Sequence, residues 1–311
     1  MIEYIKKQIA DGIYRGASLA IFDKGTWSEF YLGTLDGEKP VVPDLVYDLA
    51  SVSKVVGVGT VMIKLLASGE MTLDDRLVTY YPYFHDETVT LRQLLTHTSG
   101  IDPFIKNRHQ LNAKELKEAI NQIRVTEDKS FFYTDINFLL LGFMLETYFK
   151  ESLDTLFERE VFIPFGMTET SFGPVKQAVP TQKGVKAGLV HDPKARVLGV
   201  HTGSAGLFST LSDLEKYAEH YLTDAFAKNL TTNVAVGEKK RAIAWDLDGD
   251  WLLHTGYTGT FVMVNQANNQ AVIFLSNRTY DKDKREQWIK DRNQLIEVIK
   301  ENLKNRKRRR T

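Results

Sequence analysis

Ser51 and Lys54 stand three residues apart in Ser51-Val52-Ser53-Lys54, a spacing that puts both side chains on one face of a helix with the amine in reach of the hydroxyl. A serine hydroxyl becomes a working nucleophile only when a base takes its proton. A lysine is such a base only if burial or a nearby cation draws its pKa toward neutrality. The run from Ser51 to Ser68 is apolar on nearly every side and closes on Gly69, as a helix in a protein interior does. That burial predicts a neutral, basic Lys54. At a helix start Ser51 also has free backbone N–H groups around it, and its own can hold an oxyanion. Ser-x-x-Lys alone arises by chance in many helices, as an N-cap serine followed by a surface lysine. A helix apolar all round is no place for a surface lysine.

Two further groups can join this pair. Tyr133-Thr134-Asp135 comes just before the apolar run that starts at Ile136, so a phenol and a carboxylate can both point into a cleft; otherwise Tyr133 is a core residue and Asp135 or Asn137 an N-cap. His254-Thr255-Gly256-Tyr257 follows the strand that begins at Trp251. Gly256 would let an acyl group approach the backbone, and the Tyr257 N–H is a candidate second oxyanion donor. His201-Thr202-Gly203-Ser204 repeats the triplet, but in a Gly-rich loop ahead of Leu207 and not on a strand. His254 is therefore preferred.

The elements that must position these residues follow from periodicity. Met1 to Tyr14 reads as a short amphipathic helix, and Ala17 to Phe22 and Trp27 to Leu35 as a hairpin turning at Asp23-Lys24-Gly25. Capping boxes are expected at Thr90 to Gln93 and at Ser212 to Glu215, with an apolar helix from Phe138 to Phe149 between them. Strands return at Arg241 to Leu247, Trp251 to His254, Thr260 to Gln266 and Ala271 to Ser276, and a charged helix from about Lys282 to Lys304 closes the pattern. The basic run Arg306 to Arg310 reads as a solvated, frayed end. These elements predict an α+β fold: an antiparallel sheet flanked by N- and C-terminal helices, with an inserted mainly helical domain. Residues 1–50 and 236–311 would form the discontinuous sheet domain and 51–235 the helical one, with the active site at their interface.

Forty basic and forty acidic side chains cancel, so no global field draws nucleic acid or an anionic membrane, and a small-molecule substrate fits better. With no cysteine there is no disulfide, thiolate nucleophile or cysteine-ligated metal. The seven histidines, at 85, 97, 109, 191, 201, 220 and 254, form no His-x-x-x-His pair and read mostly as loop or surface residues. No phosphate-binding glycine loop is present either. No metal or other cofactor is expected. The start of the chain does not read as a secretory leader. Its longest uncharged apolar run, Val55 to Ile63, is far below the roughly 20 residues of a membrane span. A cytoplasmic chain without a membrane span is the expectation.

In order and separation these motifs resemble those of the serine β-lactamase and penicillin-binding-protein superfamily, most closely its class C β-lactamase-related branch of esterases and peptidases. The family's Ser-x-x-Lys, Tyr-x-Asn and Lys-Thr-Gly motifs appear here as Ser51 to Lys54, Tyr133 to Asp135 and His254 to Gly256. Leu73 to Leu77, Leu91 to Gly100, Val190 to Pro193 and Ala205 to Thr210 add to the likeness. The resemblance implies that Ser51 is acylated, that Lys54 and Tyr133 share its proton, that the Ser51 and Tyr257 amides form the oxyanion hole, and that water releases the acyl group. Asp135 replaces an amide by a carboxylate that only accepts when ionised. His254 replaces a permanent cation by a group largely neutral at pH 7, which favours carboxylate-free esters over penicillins or peptides ending in D-alanine. An esterase-like serine hydrolase is thus expected first, and a D-alanyl-D-alanine carboxypeptidase or weak β-lactamase second. A catalytically silent relative that binds peptidoglycan or a partner protein is the alternative of another class.

Overall fold

The computed structural model describes residues 1–199 and 201–308 of the 311, with side chains through 305. Helix α1 (Ile2–Ala10) precedes strands β1 (Gly16–Asp23) and β2 (Thr26–Gly33). Lys24 and Gly25 between them both take positive φ, the conformation a two-residue hairpin needs to match strand twist. From the other end of the chain come β6 (Asp246–Asp248), β7 (Trp251–Thr255), β8 (Phe261–Asn265) and β9 (Gln270–Ser276), then α11 (Arg285–Arg308). All six strands form one antiparallel sheet in the order β2-β1-β9-β8-β7-β6. Strands from the two ends of the chain meet in the β1–β9 ladder, from Ala17 opposite Ser276 to Asp23 opposite Gln270.

Both faces of β1, β7, β8 and β9 are covered, so these strands read as nearly unbroken apolar runs. The two-residue period still sorts the side chains. Leu19, Ile21, Trp251, Leu253, Phe261, Met263, Val272 and Phe274 pack against Ile5 of α1 and Trp288, Leu295 and Ile299 of α11. Ala20, Leu252, Val262, Val264, Ile273 and Leu275 face the helical body. His254 lies two residues from Leu252 on the same strand, and this alternation turns it toward the helices.

The helical body contains α2 (Val52–Lys54), α3 (Thr60–Ser68), α4 (Leu77–Tyr80), α5 (Leu91–Thr96), α6 (Ala113–Asn121), α7 (Ile136–Phe149), α8 (Leu153–Phe157), α9 (Pro193–Leu198) and α10 (Leu211–Thr223). A small sheet of β3 (Tyr47–Asp48), β4 (Ser171–Phe172) and β5 (Leu207–Ser209) lies beside them. The expected Ser51–Ser68 helix is present, with Ser51 as its N-cap and left-handed Gly69 at its end, but Val55–Gly59 is a π-turn joining α2 to α3. The Val55 carbonyl there accepts from the Thr60 N–H, the Thr60 hydroxyl and the Tyr217 hydroxyl. Gly57 faces Phe157 so closely that a Cβ would stand 2.3 Å from its ring. Among the described residues, no helix is long and apolar enough to cross a membrane.

Three local expectations need correction. The Thr90–Gln93 capping box forms, but α10 starts earlier than the Ser212 box predicts: Thr210 is its N-cap and accepts from the Asp213 N–H. The strand expected from Arg241 to Leu247 shrinks to β6 and one bridge between Arg241 and Asp246, because Ala244 takes a positive φ of 68° and bends the segment out of the ladder. Helix α7 begins at Ile136, before Phe138. The Arg306 to Arg310 run lies outside the described residues except for the helical backbone through Arg308.

Glu215 on α10 faces Glu29 of β2 and Glu219, and burial, then these two carboxylates, push its pKa up to about 8. Between its ordinary 4.5 and that value the folded chain holds a proton that the unfolded chain has released, so stability falls as pH rises through this window. A glutamine mimics the protonated form. Glu215→Gln is expected to match the wild type near pH 4.5 and to be more stable by about 1 kcal/mol at pH 8, after allowance for solvent screening. Urea titrations at the two pH values would show it; equal stabilities at pH 8 would refute it.

Candidate active site

Strand β3 delivers Ser51 to the start of α2. Tyr47 and Asp48 pair with Ser209 and Phe208 of β5, and the Leu49 N–H donates to the Leu207 carbonyl. Ala50, immediately before Ser51, takes a positive φ of 46°, a strained conformation for an alanine. The Asp48 carboxylate accepts from the Ala50 N–H at 2.8 Å and holds it there.

Lys54 is wholly buried. Its Nζ donates to Ser51 Oγ at 2.8 Å, Asp135 Oδ1 at 2.7 Å and the Ser204 carbonyl at 3.0 Å. An ammonium has three protons to give, and all three have acceptors. Burial alone would lower the Lys54 pKa, but the Asp135 carboxylate and the Tyr133 phenol outweigh it and the net direction is upward. This corrects the expectation of a neutral lysine: the apolar helix was legible, the buried counterion was not.

Asp135 caps α7 without a side-chain capping bond. Its two oxygens instead meet two lysines, Oδ1 with Lys54 and Oδ2 with Lys194 Nζ at 2.8 Å. Burial would raise its pKa, but the two cations hold it well below the usual carboxylate range. The expected substrate-facing carboxylate is thus engaged on both oxygens by lysines.

Tyr133 is 38% exposed, and its ring lies 5.2 Å from Lys54 Nζ, 4.4 Å from the His97 ring and 6.4 Å from the His254 ring, centroid distances for the rings. His97 fixes the tyrosine's backbone as well. Its carbonyl accepts from the Phe132 N–H at 2.9 Å and its Nδ1 from the Thr134 N–H at 3.5 Å. Ser99 donates to Asn137 Oδ1, which turns the Asn137 amide nitrogen to His97 Nδ1 at 2.9 Å. His97 is fully buried, unlike the loop or surface histidine expected there, and burial first, then Arg241 and Lys54, keep its pKa well below the ordinary value.

Across the cleft, the Thr258 and Thr260 hydroxyls donate to the Asp48 and Leu49 carbonyls, each at 2.9 Å. These bonds bring the β7–β8 turn, with Gly256 and Tyr257, against the segment that carries Ser51. A Cβ on Gly256 would stand 2.5 Å from the Leu49 carbonyl oxygen, so glycine is required by this close approach. The Tyr257 hydroxyl bonds Asp283 and its ring lies under Arg278. His254 is buried, and burial, then Lys54 and Arg241, hold its pKa well below the ordinary value, in keeping with a neutral group at pH 7. A cavity of about 450 Å³ opens beside Tyr133, His254 and Thr255, and Arg241 and Arg292 also line it. Arg292 Nη1 donates to Thr255 Oγ1 at 3.0 Å, and among the described residues it has no ion-pair partner.

A family model described as beta-lactamase matches residues 1–296. The chain belongs to the beta-lactamase family. A putative D-alanyl-D-alanine carboxypeptidase of Escherichia coli K12 is 24% identical over 80% of this chain and 73% of its own length. The structure of a β-lactamase/D-alanine carboxypeptidase from Pseudomonas syringae superposes with a TM-score of 0.75 at 18% identity, covering 94% of this chain and 97% of the other. EstCE1, a hydrolase with promiscuous acyltransferase activity, superposes at 0.72 and 19% identity, covering 89% and 92%. The α+β architecture is shared with these solved structures.

Ser51, Lys54, Tyr133, Asp135, His254, Thr255, Gly256 and Tyr257 are all brought to one cleft. The sequence reading missed His97, Lys194, Arg292 and the Ser204 carbonyl. Ser204 belongs to the loop set aside as a duplicate of the third motif, where the backbone and not the triplet meets Lys54. One local signal points to Lys194: Asp192-Pro193 marks a helix start, where a lysine opposes the helix dipole and so needs another reason to be there.

Proposed function

We propose that this chain is a serine hydrolase working through an acyl-enzyme on Ser51. The observation that supports it most is the Lys54 ammonium, buried, fully hydrogen-bonded and donating to Ser51 Oγ. A cation so placed cannot take the serine proton, but it stabilises negative charge on its neighbours. The proton therefore passes from Ser51 Oγ to the Tyr133 phenolate oxygen as Oγ bonds the acyl carbon. Tyr133 then returns it to the leaving alcohol or amine as the old bond breaks. Water repeats the sequence to free the acid, with the Ser51 and Tyr257 amides holding the oxyanion.

For substrate, neutral His254 favours esters that bring no carboxylate to this corner. A second reading has its own observation: Arg292, which donates to Thr255 Oγ1 and Asn293 Oδ1 and has no ion-pair partner among the described residues, can meet the carboxylate of a peptide ending in D-alanine. Steady-state kinetics with short-chain p-nitrophenyl esters and with acyl-D-alanyl-D-alanine separates the two. The first reading expects kcat/KM for the ester to exceed that for the peptide by at least about tenfold. D-Alanine release that dominates, and collapses in Arg292→Ala, would overturn it in favour of the second.

A further inference from the structure

Lys194 is the second residue of α9, whose N-cap Asp192 accepts from the Ala195 N–H. Its Nζ lies 2.8 Å from Asp135 Oδ2 and 3.6 Å from Asp192 Oδ2, and its side chain is 15% exposed. The segment leading to α9 is tied to the nucleophile's strand, because the His191 N–H donates to Asp48 Oδ2 at 2.7 Å while the other oxygen of Asp48 holds Ala50. Lys54 and Lys194 thus grip one carboxylate from its two oxygens.

Charge makes this arrangement informative. With a neutral side chain at 135, Lys54 would leave one positive charge beside Ser51. With Asp135 alone, the local charge would be zero and the cation's hold on the Tyr133 phenolate and on the developing oxyanion would weaken. Lys194 adds a positive charge against Asp135, partly offset by the Asp192 carboxylate at 3.6 Å. We propose that Lys194 is a positioning residue for acylation, which holds Asp135 from the side opposite Lys54 and restores the cationic field that the carboxylate would otherwise cancel. The proposal rests on Ser51 and Tyr133 doing the chemistry. The charged and titratable groups facing Tyr133 are Lys54, His97, His254 and Arg241; those facing Lys194 are Asp135, Asp192 and Arg108.

The test compares wild type, Lys194→Met, Lys194→Arg, Asp135→Asn and the double variant Asp135→Asn/Lys194→Met. The readouts are the fluorophosphonate labelling rate of Ser51 and the pH profile of ester kcat/KM, with thermal melting to confirm folding. Lys194→Met is expected to slow both reactions about tenfold and to move the acid limb of the profile up by about one pH unit. Lys194→Arg should keep the limb in place. The double variant should recover to within a few-fold of wild type, since both charges leave together. An unmoved limb in Lys194→Met, or a double variant no faster than it, would overturn the proposal. A failure of the serine-hydrolase reading would look different: labelling or turnover would persist without Ser51.

Discussion

Ser51→Ala is expected to gain no mass adduct from a fluorophosphonate and to lose ester turnover by about 10⁶-fold, the order found when a serine nucleophile is removed from a preorganised site. The wild type should gain one adduct. The variant should fold normally, because Ser51 Oγ accepts from Lys54 while Asp135 and Ser204 still anchor that ammonium; the stability change should stay within about 1 kcal/mol. Intact-mass analysis reads both proteins in one experiment. An adduct on the alanine variant would place the nucleophile elsewhere.

Lys54→Met should be the second most damaging change, and on two counts. Turnover is expected to fall about 10³-fold through loss of the charge that favours proton transfer out of Ser51. Stability should fall by about 3 kcal/mol, because Asp135 loses the wholly buried half of its ion pairing. The pH dependence of that stability gap follows from the two directions of shift. Asp135 is held below its ordinary 3.8, so its contribution is present above that value and is lost as pH falls through the lower folded one. Lys54 is held above its ordinary 10.5, so its contribution is present below that value and is lost as pH rises past the folded one. The gap between wild type and Lys54→Met should be flat from about pH 5 to pH 9 in denaturant titrations. Adding Asp135→Asn should recover much of the stability and none of the turnover; recovered turnover would contradict the role given to Lys54.

What the sequence revealed depended on distance along the chain. The Ser51–Lys54 pair, the Lys24-Gly25 hairpin and the Thr90 capping box are local, and spacing alone announces them. The charge of Lys54 is not local: its counterion lies 81 residues away, and without it burial points the pKa the wrong way. Lys194 was hidden for the same reason, since its partner sits on a different helix. His97 looked like a loop histidine because it does end a helix, with a positive φ of 58°, but the aromatic and amide groups that bury it come from the Phe131 to Phe138 segment. The sheet was legible because its strands are runs of β-branched and aromatic residues bounded by turns such as Asp23-Lys24-Gly25.

The π-turn at Val55–Gly59 fixes an angular phase. One extra residue in a helix advances everything beyond it by about 100° about the axis, so the bearing of Ser51 and Lys54 differs by that angle from what α3 alone would dictate. Thr60 and Tyr217, by bonding the Val55 carbonyl, act as the latch on that rotation. The packing of α3 and the aim of the nucleophile are thereby held at a fixed offset. Losing a single residue from the turn would rotate Ser51 and Lys54 away from Tyr133 and Asp135.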